Sequence, residues 1–351
     1  MIKCMVRKDD CMMKQKTFKK FIGIFVATTM LLQCFAITTF AQEATSEVQT
    51  EVQTETVQKR ELIPTLSGKT AKIFLIGDST CEDLPQSWYP REGWGMEFGK
   101  FLKKNVKVIN MSKGGKSTRS FLQNWDAPSN KYDTRMDDIK KQASKGDWLF
   151  INLGHNDYGN TRPGVPTDAT KPDDDGDFTS YRKNLERFIE FADERNLNIA
   201  FLTSINTLTS FSDGKLNRDG IQGHRGAMRE IADKHGIPLI DVSEQHKLLM
   251  EDLGDKHVKE IFMFASRDEY PNLPPDVSVG DTTHINYKGA QEVSKIIVNE
   301  IKKGAEAGDE RFQALYELVD TKVDTTPLHY EDEPEEEVSI DSSVSLDPGK
   351  K

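Results

Sequence analysis

Cysteine is scarce in this sequence. Of 351 residues only four are Cys, and three of them, Cys4, Cys11 and Cys34, lie within the first 41 positions. Past that point Cys81 stands alone, which excludes an intramolecular disulfide there and leaves stability to a hydrophobic core. A surplus of positive charge is missing as well. The formal net charge is −10, and residues 1–41 carry seven Lys/Arg against two Asp, a net +5, so the remaining 310 residues sum to −15. A surface this acidic cannot neutralise a phosphate backbone, so nucleic acid is excluded as a partner. Paired metal-ligand spacings such as H-E-x-x-H are also absent. His155, His224, His235, His246 and His257 stand singly and read as surface or loop residues, and no metal is expected. Gly68-Lys69-Thr70 imitates the end of a phosphate-binding loop, but Ile63 stands where that motif needs glycine, and the segment precedes a strand instead of following one. No nucleotide cofactor is implied.

What is present begins with three segments of unusual composition. Lys14, Lys16, Lys19 and Lys20 form a basic stretch before an apolar run from Phe21 to Ile37, and Thr39-Phe40-Ala41 offers small residues for cleavage. Residues 1–41 therefore read as an export signal, and a secreted protein is expected. At about 17 residues the run is at the short end for a membrane-spanning helix, so the membrane is a partner only if this leader is retained. Residues 42–68 are rich in Glu, Gln, Thr and Val and read as a polar linker that buries too little area to fold. Residues 304–351 read as an acidic, disordered tail, with fourteen Asp/Glu against four Lys/Arg from position 305 onward.

Between these segments, with 36% hydrophobic residues in the whole chain, lies enough apolar material for a sizeable core. Short apolar runs at Lys72–Ile76, Val106–Asn110, Trp148–Leu153, Ile199–Thr203 and Pro238–Val242 have the character of strands buried on both faces. They alternate with amphipathic stretches at Gly95–Lys104, Thr134–Lys145, Phe178–Arg195, Gly223–His235 and Asn286–Lys303. Right-handed crossovers then give one α/β domain over 69–303, a three-layer α/β/α sandwich around a central parallel five-stranded sheet. Ligands of such sheets bind at the carboxyl ends of the strands.

Those ends carry the unusual residues: Gly77-Asp78-Ser79-Thr80 after the first strand, Ser112 to Ser117 after the second, Gly154-His155-Asn156-Asp157 after the third. Asp281-Thr282-Thr283-His284 stands before the last helix. Hydrolysis through an activated serine needs a nucleophile, a base, an orienter for the base and donors for an oxyanion, and residues of all four kinds are here. Each also has a plainer use. Ser79 suits a helix N-cap as well as a nucleophile. Asp281 and His284 suit a turn and a cap, or a loop in which His284 faces a serine while Asp281 fixes its tautomer. Gly115 suits positive φ or an unobstructed N–H donor, and Asn156 suits loop hydrogen bonding or an amide donor. Trp88, Tyr89, Trp94 and Trp125 suit sugar stacking or packing under loops. Asn110-Met111-Ser112 matches a glycosylation sequon, but at the end of a buried strand it is not expected to be used.

In this order along the chain, Gly-Asp-Ser-Thr, a glycine in the second block, Gly-His-Asn-Asp and Asp-x-x-His resemble the SGNH (GDSL-type) hydrolase superfamily. Gly93-Trp94-Gly95, Gly115 to Phe121 and Gly280 to Asn286 are similar to its rhamnogalacturonan acetylesterase branch. The resemblance implies a flavodoxin-like fold and a secreted, metal-independent serine esterase acting on an acetylated polysaccharide or oligosaccharide, pectic rhamnogalacturonan first, acetylxylan, another carbohydrate or a lipid next. It implies Ser79 as nucleophile, His284 as base and Asp281 as its orienter. The implied oxyanion donors are the backbone N–H groups of Ser79 and Gly115 and the side chain of Asn156, with Asp78 and Asp157 bracing loops. A non-catalytic carbohydrate-binding protein would have no use for the complete set, and the apolar lid expected of a lipase is absent. Neither the resemblance nor the composition sets the oligomeric state.

Overall fold

A computed structural model of the protein describes residues 60–64, 70–123, 134–159, 165–174, 176–217 and 219–331. The export-signal reading, the linker up to residue 59, Trp125 and the end of the acidic tail fall outside the described residues.

The five apolar runs become five strands: β1 (Lys72–Gly77), β2 (Lys107–Asn110), β3 (Trp148–Asn152), β4 (Asn198–Leu202) and β7 (Leu239–Ile240). All pair in parallel, in the order β2-β1-β3-β4-β7. Two small antiparallel pairs stand apart, β5 (Phe211–Ser212) with β6 (Lys215–Leu216), and β8 (Phe262–Met263) with β9 (Asp281–Ile285).

Alternation along the strands splits the core into two layers, because successive side chains leave a strand on opposite faces. Ile73, Leu75, Trp148, Phe150, Ala200 and Leu202 join a cluster with α1 (Trp94–Phe98), α7 (Val242–His257) and α8 (Tyr287–Glu306). Phe74, Ile76, Leu149, Ile151, Ile199 and Phe201 join the other, with α2 (Thr118–Leu122), α3 (Arg135–Gln142), α5 (Tyr181–Glu194) and α6 (Gln222–Lys234). The architecture is the expected three-layer α/β/α sandwich. The remaining helices are the single turn α4 (His155–Tyr158) and α9 (Glu310–Tyr316).

Two expected boundaries are corrected. The fold does not stop at 303: α9 packs along α8, Leu315 and Val319 are buried, and Leu102 bridges to Val319. Farther on, Tyr330 stacks on His257 at 3.8 Å and donates to Glu260 at 2.6 Å. Average acidity hid these apolar residues, of which only Leu315 lies on the helix. At the other end, Leu62 packs on the core, and Ile63 exchanges two hydrogen bonds of 2.9 Å with the side chain of Asn198. This part of the 42–68 segment therefore belongs to the domain.

Candidate active site

The site forms where β1, β2 and β3 end. After Gly77 the chain turns sharply, with Cys81 N–H returning to the Asp78 carbonyl. Asp78 is completely buried, and its Oδ1 accepts from Thr80 N (2.9 Å) and Thr80 Oγ1 (2.8 Å). Its Oδ2 meets His155 Nδ1 at 3.3 Å. Burial would raise this carboxyl, but the charge and hydrogen bond of His155 and the Thr80 donors hold it below the ordinary carboxylate range. Ser79 is thereby presented between two anchored neighbours.

The Gly93-Trp94-Gly95 segment explains the tightness of this turn. A Cβ on Gly93 would lie 2.3 Å from the Glu82 carbonyl oxygen, and one on Gly95 would lie 2.5 Å from that of Cys81, so α1 approaches the turn only because both lack side chains. Trp94 is fully buried and donates to Asn152 at 3.2 Å. Cys81 packs beneath with its thiol on Ser112 Oγ at 3.1 Å, and burial pushes that thiol well above its ordinary value.

Past β2, Lys116 N–H closes a turn on the Lys113 carbonyl, and Gly115, third in the turn, has φ of 77°. The neighbouring Gly114 is the glycine that stands against Ser79, a Cβ there falling 3.5 Å from the Ser79 Cβ. Gly114 N–H donates to Glu82 Oε2 at 2.7 Å, and Lys113 pairs with the other oxygen at 2.6 Å. Glu82 thus secures the second block to the first, a role the sequence reading missed because nothing local marks it.

After β3, α4 carries His155, Asn156 and Asp157 in succession. Asn156 lines the cavity with Ser79 and donates from Nδ2 to the Lys116 carbonyl at 3.0 Å, which leaves its second amide hydrogen. Asp157 is buried, receiving Thr118 Oγ1 at 2.5 Å, Thr167 Oγ1 at 2.9 Å and Thr118 N–H. Burial pushes its carboxyl up to about 7 against those donors. Asp78 and Asp157 brace loops, as the sequence reading held. The histidines differ from expectation. His224 and His246 are buried, His246 entirely, and His155 bridges Asp78 to the Ile205 carbonyl at 3.0 Å.

Asp281 and His284 arrive on β9, a strand where a loop was expected. A regular strand would point residues three apart to opposite faces. The pairing avoids this. Phe262 is opposite Ile285 while the next residue, Met263, is opposite Asp281, so the strand bulges between them. Asp281 Oδ1 accepts from Thr283 N–H (2.8 Å) and His284 N–H (3.0 Å), closing the bulge. Its Oδ2 meets His284 Nδ1 at 2.7 Å, and His284 Nε2 meets Ser79 Oγ at 2.8 Å. Burial would raise the Asp281 carboxyl, but the hydrogen bond and charge of His284 and the two backbone donors hold it well below the usual range. An ionised Asp281 can only accept, so Nδ1 carries the proton and Nε2 is left to accept from the serine hydroxyl. Asn286 then caps α8 through Lys288 and Gly289 N–H and ties β9 to the Glu260 and Phe262 carbonyls.

The three side chains border a cavity of about 570 Å³, lined also by Asn156, Tyr158, Thr207, Thr209 and Asp219. The backbone N–H groups of Ser79 and Gly115 donate to no group among the described residues. The site aromatics named from sequence do not gather here. Trp94 is core, Trp88 packs on Met263, Leu273 and Val277, and Tyr89 stacks on Tyr287 at 5.4 Å. Asn110 spends its side-chain amide on the Cys81 carbonyl and Asp83, at 2.6 and 2.7 Å.

Residues 75–291 match the model of the GDSL-like Lipase/Acylhydrolase family. The chain belongs to that family. It is accordingly a carboxylic ester hydrolase, and Ser79, His284 and Asp281 stand in one hydrogen-bonded line. Among curated relatives, it is 31% identical to the rhamnogalacturonan acetylesterase RhgT of Bacillus subtilis, covering 67% of this chain and 91% of that one. The probable rhamnogalacturonan acetylesterase YesY of the same organism is 26% identical, over 66% of this chain and 92% of its own. The crystal structure of Bacillus subtilis YxiM superposes with a TM-score of 0.52 at 20% identity, over 69% of this chain and 58% of that one, a likeness of fold.

Proposed function

We propose that this GDSL-family hydrolase is a secreted carbohydrate acetylesterase whose preferred substrate is acetylated rhamnogalacturonan. The observation that carries the chemistry is the continuous line from Ser79 Oγ to His284 Nε2 and from His284 Nδ1 to Asp281 Oδ2, at 2.8 and 2.7 Å. The substrate class is supported by the family and by the relative RhgT, whose length this chain covers almost completely. Export is supported by the basic and apolar leader, and extracellular protein should begin at Gln42 when its terminus is sequenced.

In the proposed reaction Ser79 Oγ attacks the acetyl carbonyl carbon as its proton passes to His284 Nε2. The imidazolium so formed is stabilised by Asp281. Negative charge collects on the former carbonyl oxygen, where Ser79 N–H, Gly115 N–H and the second amide hydrogen of Asn156 donate to it. Collapse breaks the bond to the sugar oxygen, which takes the proton from His284. Water then adds to acetyl-Ser79 by the same route in reverse and releases acetate.

The test is acetate release by the wild-type protein across a panel of acetylated polysaccharides. The highest kcat/KM is expected on acetylated rhamnogalacturonan. A clear preference for acetylated xylan would overturn the finer assignment, and absence of acetate from every polysaccharide would overturn the carbohydrate class.

A further inference from the structure

The cavity beside Ser79 contains one large aromatic group that the proposed chemistry leaves unused. Tyr158 ends α4, two residues past Asn156, and with 55% of its surface exposed it is the most exposed of the large hydrophobic residues described. Exposed aromatics scattered over a surface need no explanation, but this one lines the cavity of the reacting serine.

Its ring is seated. The backbone of Gly220 lies so close that a Cβ there would fall 1.9 Å from the Tyr158 Cζ and Oη and 2.4 Å from Cε2. No other residue type fits at 220 with the ring in place. At its edge stands the ring of His224, 6.2 Å between centroids and inclined by 73°. His224 is itself held by Tyr181 at 4.9 Å and by the Thr167 carbonyl at 3.2 Å. The Gly220 backbone on one side and the His224 ring on another thus flank the Tyr158 ring.

Beside the ring the cavity is lined mostly by polar residues, with Ile221 the one large aliphatic side chain among them. Thr207 and Thr209, with hydroxyls 2.7 Å apart, share it with Ser210 and with Asp219, whose carboxylate is held by Arg225 at 3.2 Å. An aromatic ring among hydroxyls and a carboxylate matches a pyranose, which has an apolar C–H face and a rim of hydroxyl groups. An acyl chain of a lipid would instead match a lining that is apolar throughout.

We infer that Tyr158 is the platform on which the acetylated sugar ring rests, and that Gly220 is glycine because it seats that platform. The inference depends on the carbohydrate-ester reading given above. It makes Tyr158 a determinant of the leaving group, separate from the acyl-transfer chemistry at Ser79.

The full chain is tested with acetylated oligosaccharide and with p-nitrophenyl acetate, whose leaving group is not a sugar. Tyr158→Ala is expected to lower kcat/KM about tenfold more on the oligosaccharide than on p-nitrophenyl acetate, chiefly through KM. Tyr158→Phe and Tyr158→Trp should retain the wild-type ratio, since the ring face and not the hydroxyl is used. Gly220→Ala should show the same selective loss by unseating the ring, and Tyr158→Ala/Gly220→Ala should be no worse than Tyr158→Ala alone. Equal activity ratios for wild type and a folded Tyr158→Ala, or additive losses in the double variant, would overturn the platform. Wild type that cleaves p-nitrophenyl acetate but no acetylated carbohydrate would overturn the underlying reading, and the platform with it.

Discussion

The two halves of the site are held in different ways. Ser79 and Asn156 leave the ends of central strands, and the residues around them, Asp78, Thr80, Trp94 and Asp157, are all buried. Asp281 and His284 sit on a two-stranded ribbon outside the main sheet, partly exposed, and are ordered chiefly by hydrogen bonds within their own segment. The side of the proposed nucleophile is thus fixed by packing, through glycines that admit close backbone approach. On the proposed base side one carboxylate closes the bulge and also meets the His284 ring. Packing tolerates little adjustment, whereas a bulged ribbon keeps its geometry only while its hydrogen bonds persist.

The comparison is broken most severely at Ser79. Ser79→Ala should lower turnover of p-nitrophenyl acetate by roughly 10⁶-fold while circular dichroism shows an unchanged fold. Retention of wild-type turnover would remove the serine from the mechanism.

Asp281→Asn attacks the other half and should cost about 10⁴-fold in kcat, because an amide can donate to Nδ1 and present the wrong tautomer to Ser79. It should also disturb the bulge, so amide exchange at Thr283 and His284 should quicken while that of Thr80 stays slow. Since Asp281 is held well below the ordinary range, wild-type activity should fall on the acid side with a slope of one in log units. A slope near two would mean that Asp281 gains its proton together with the imidazole.

Asn156→Ala removes a donor from the packed side and should lower kcat by roughly 10² to 10³ with KM little changed, since the charge it meets exists only in the transition state. A rise in KM at constant kcat would make Asn156 a contact to bound substrate instead. The smallest effect on chemistry is expected from truncation after Lys303. That deletion strips buried Leu315 and Val319 from the core, at about 1.5 to 3 kcal/mol for each buried side chain, so the melting temperature should drop while kcat at low temperature persists.

Much of this site was legible because its parts are local. Each apolar run predicted a strand within a residue or two, and the polar tetrads at the strand ends pointed to Ser79, Asn156, Asp281 and His284. The misses have physical causes. The face of α7, with Val242, His246, Leu249, Met250 and Leu253 buried, has helical spacing, but the strand reading at Pro238–Val242 absorbed its Asp241 cap. Burial of His246 was invisible because its one polar contact is to the backbone N–H of Asn206, 40 positions away.

The sequence by itself determined the layer architecture and the order of the catalytic blocks, because strand and helix periodicity and turn chemistry act over a few neighbouring residues. Only the tertiary structure decided that Ser79 meets a histidine 205 positions later, that the loop expected to hold that histidine is a bulged strand, and that Leu315, Val319 and Tyr330 of the acidic segment pack on the domain. It also decided that Gly220 seats Tyr158. Such contacts leave no local signature. Whether a half-polar segment folds depends on the surface offered to it, and that surface exists only once the core has closed.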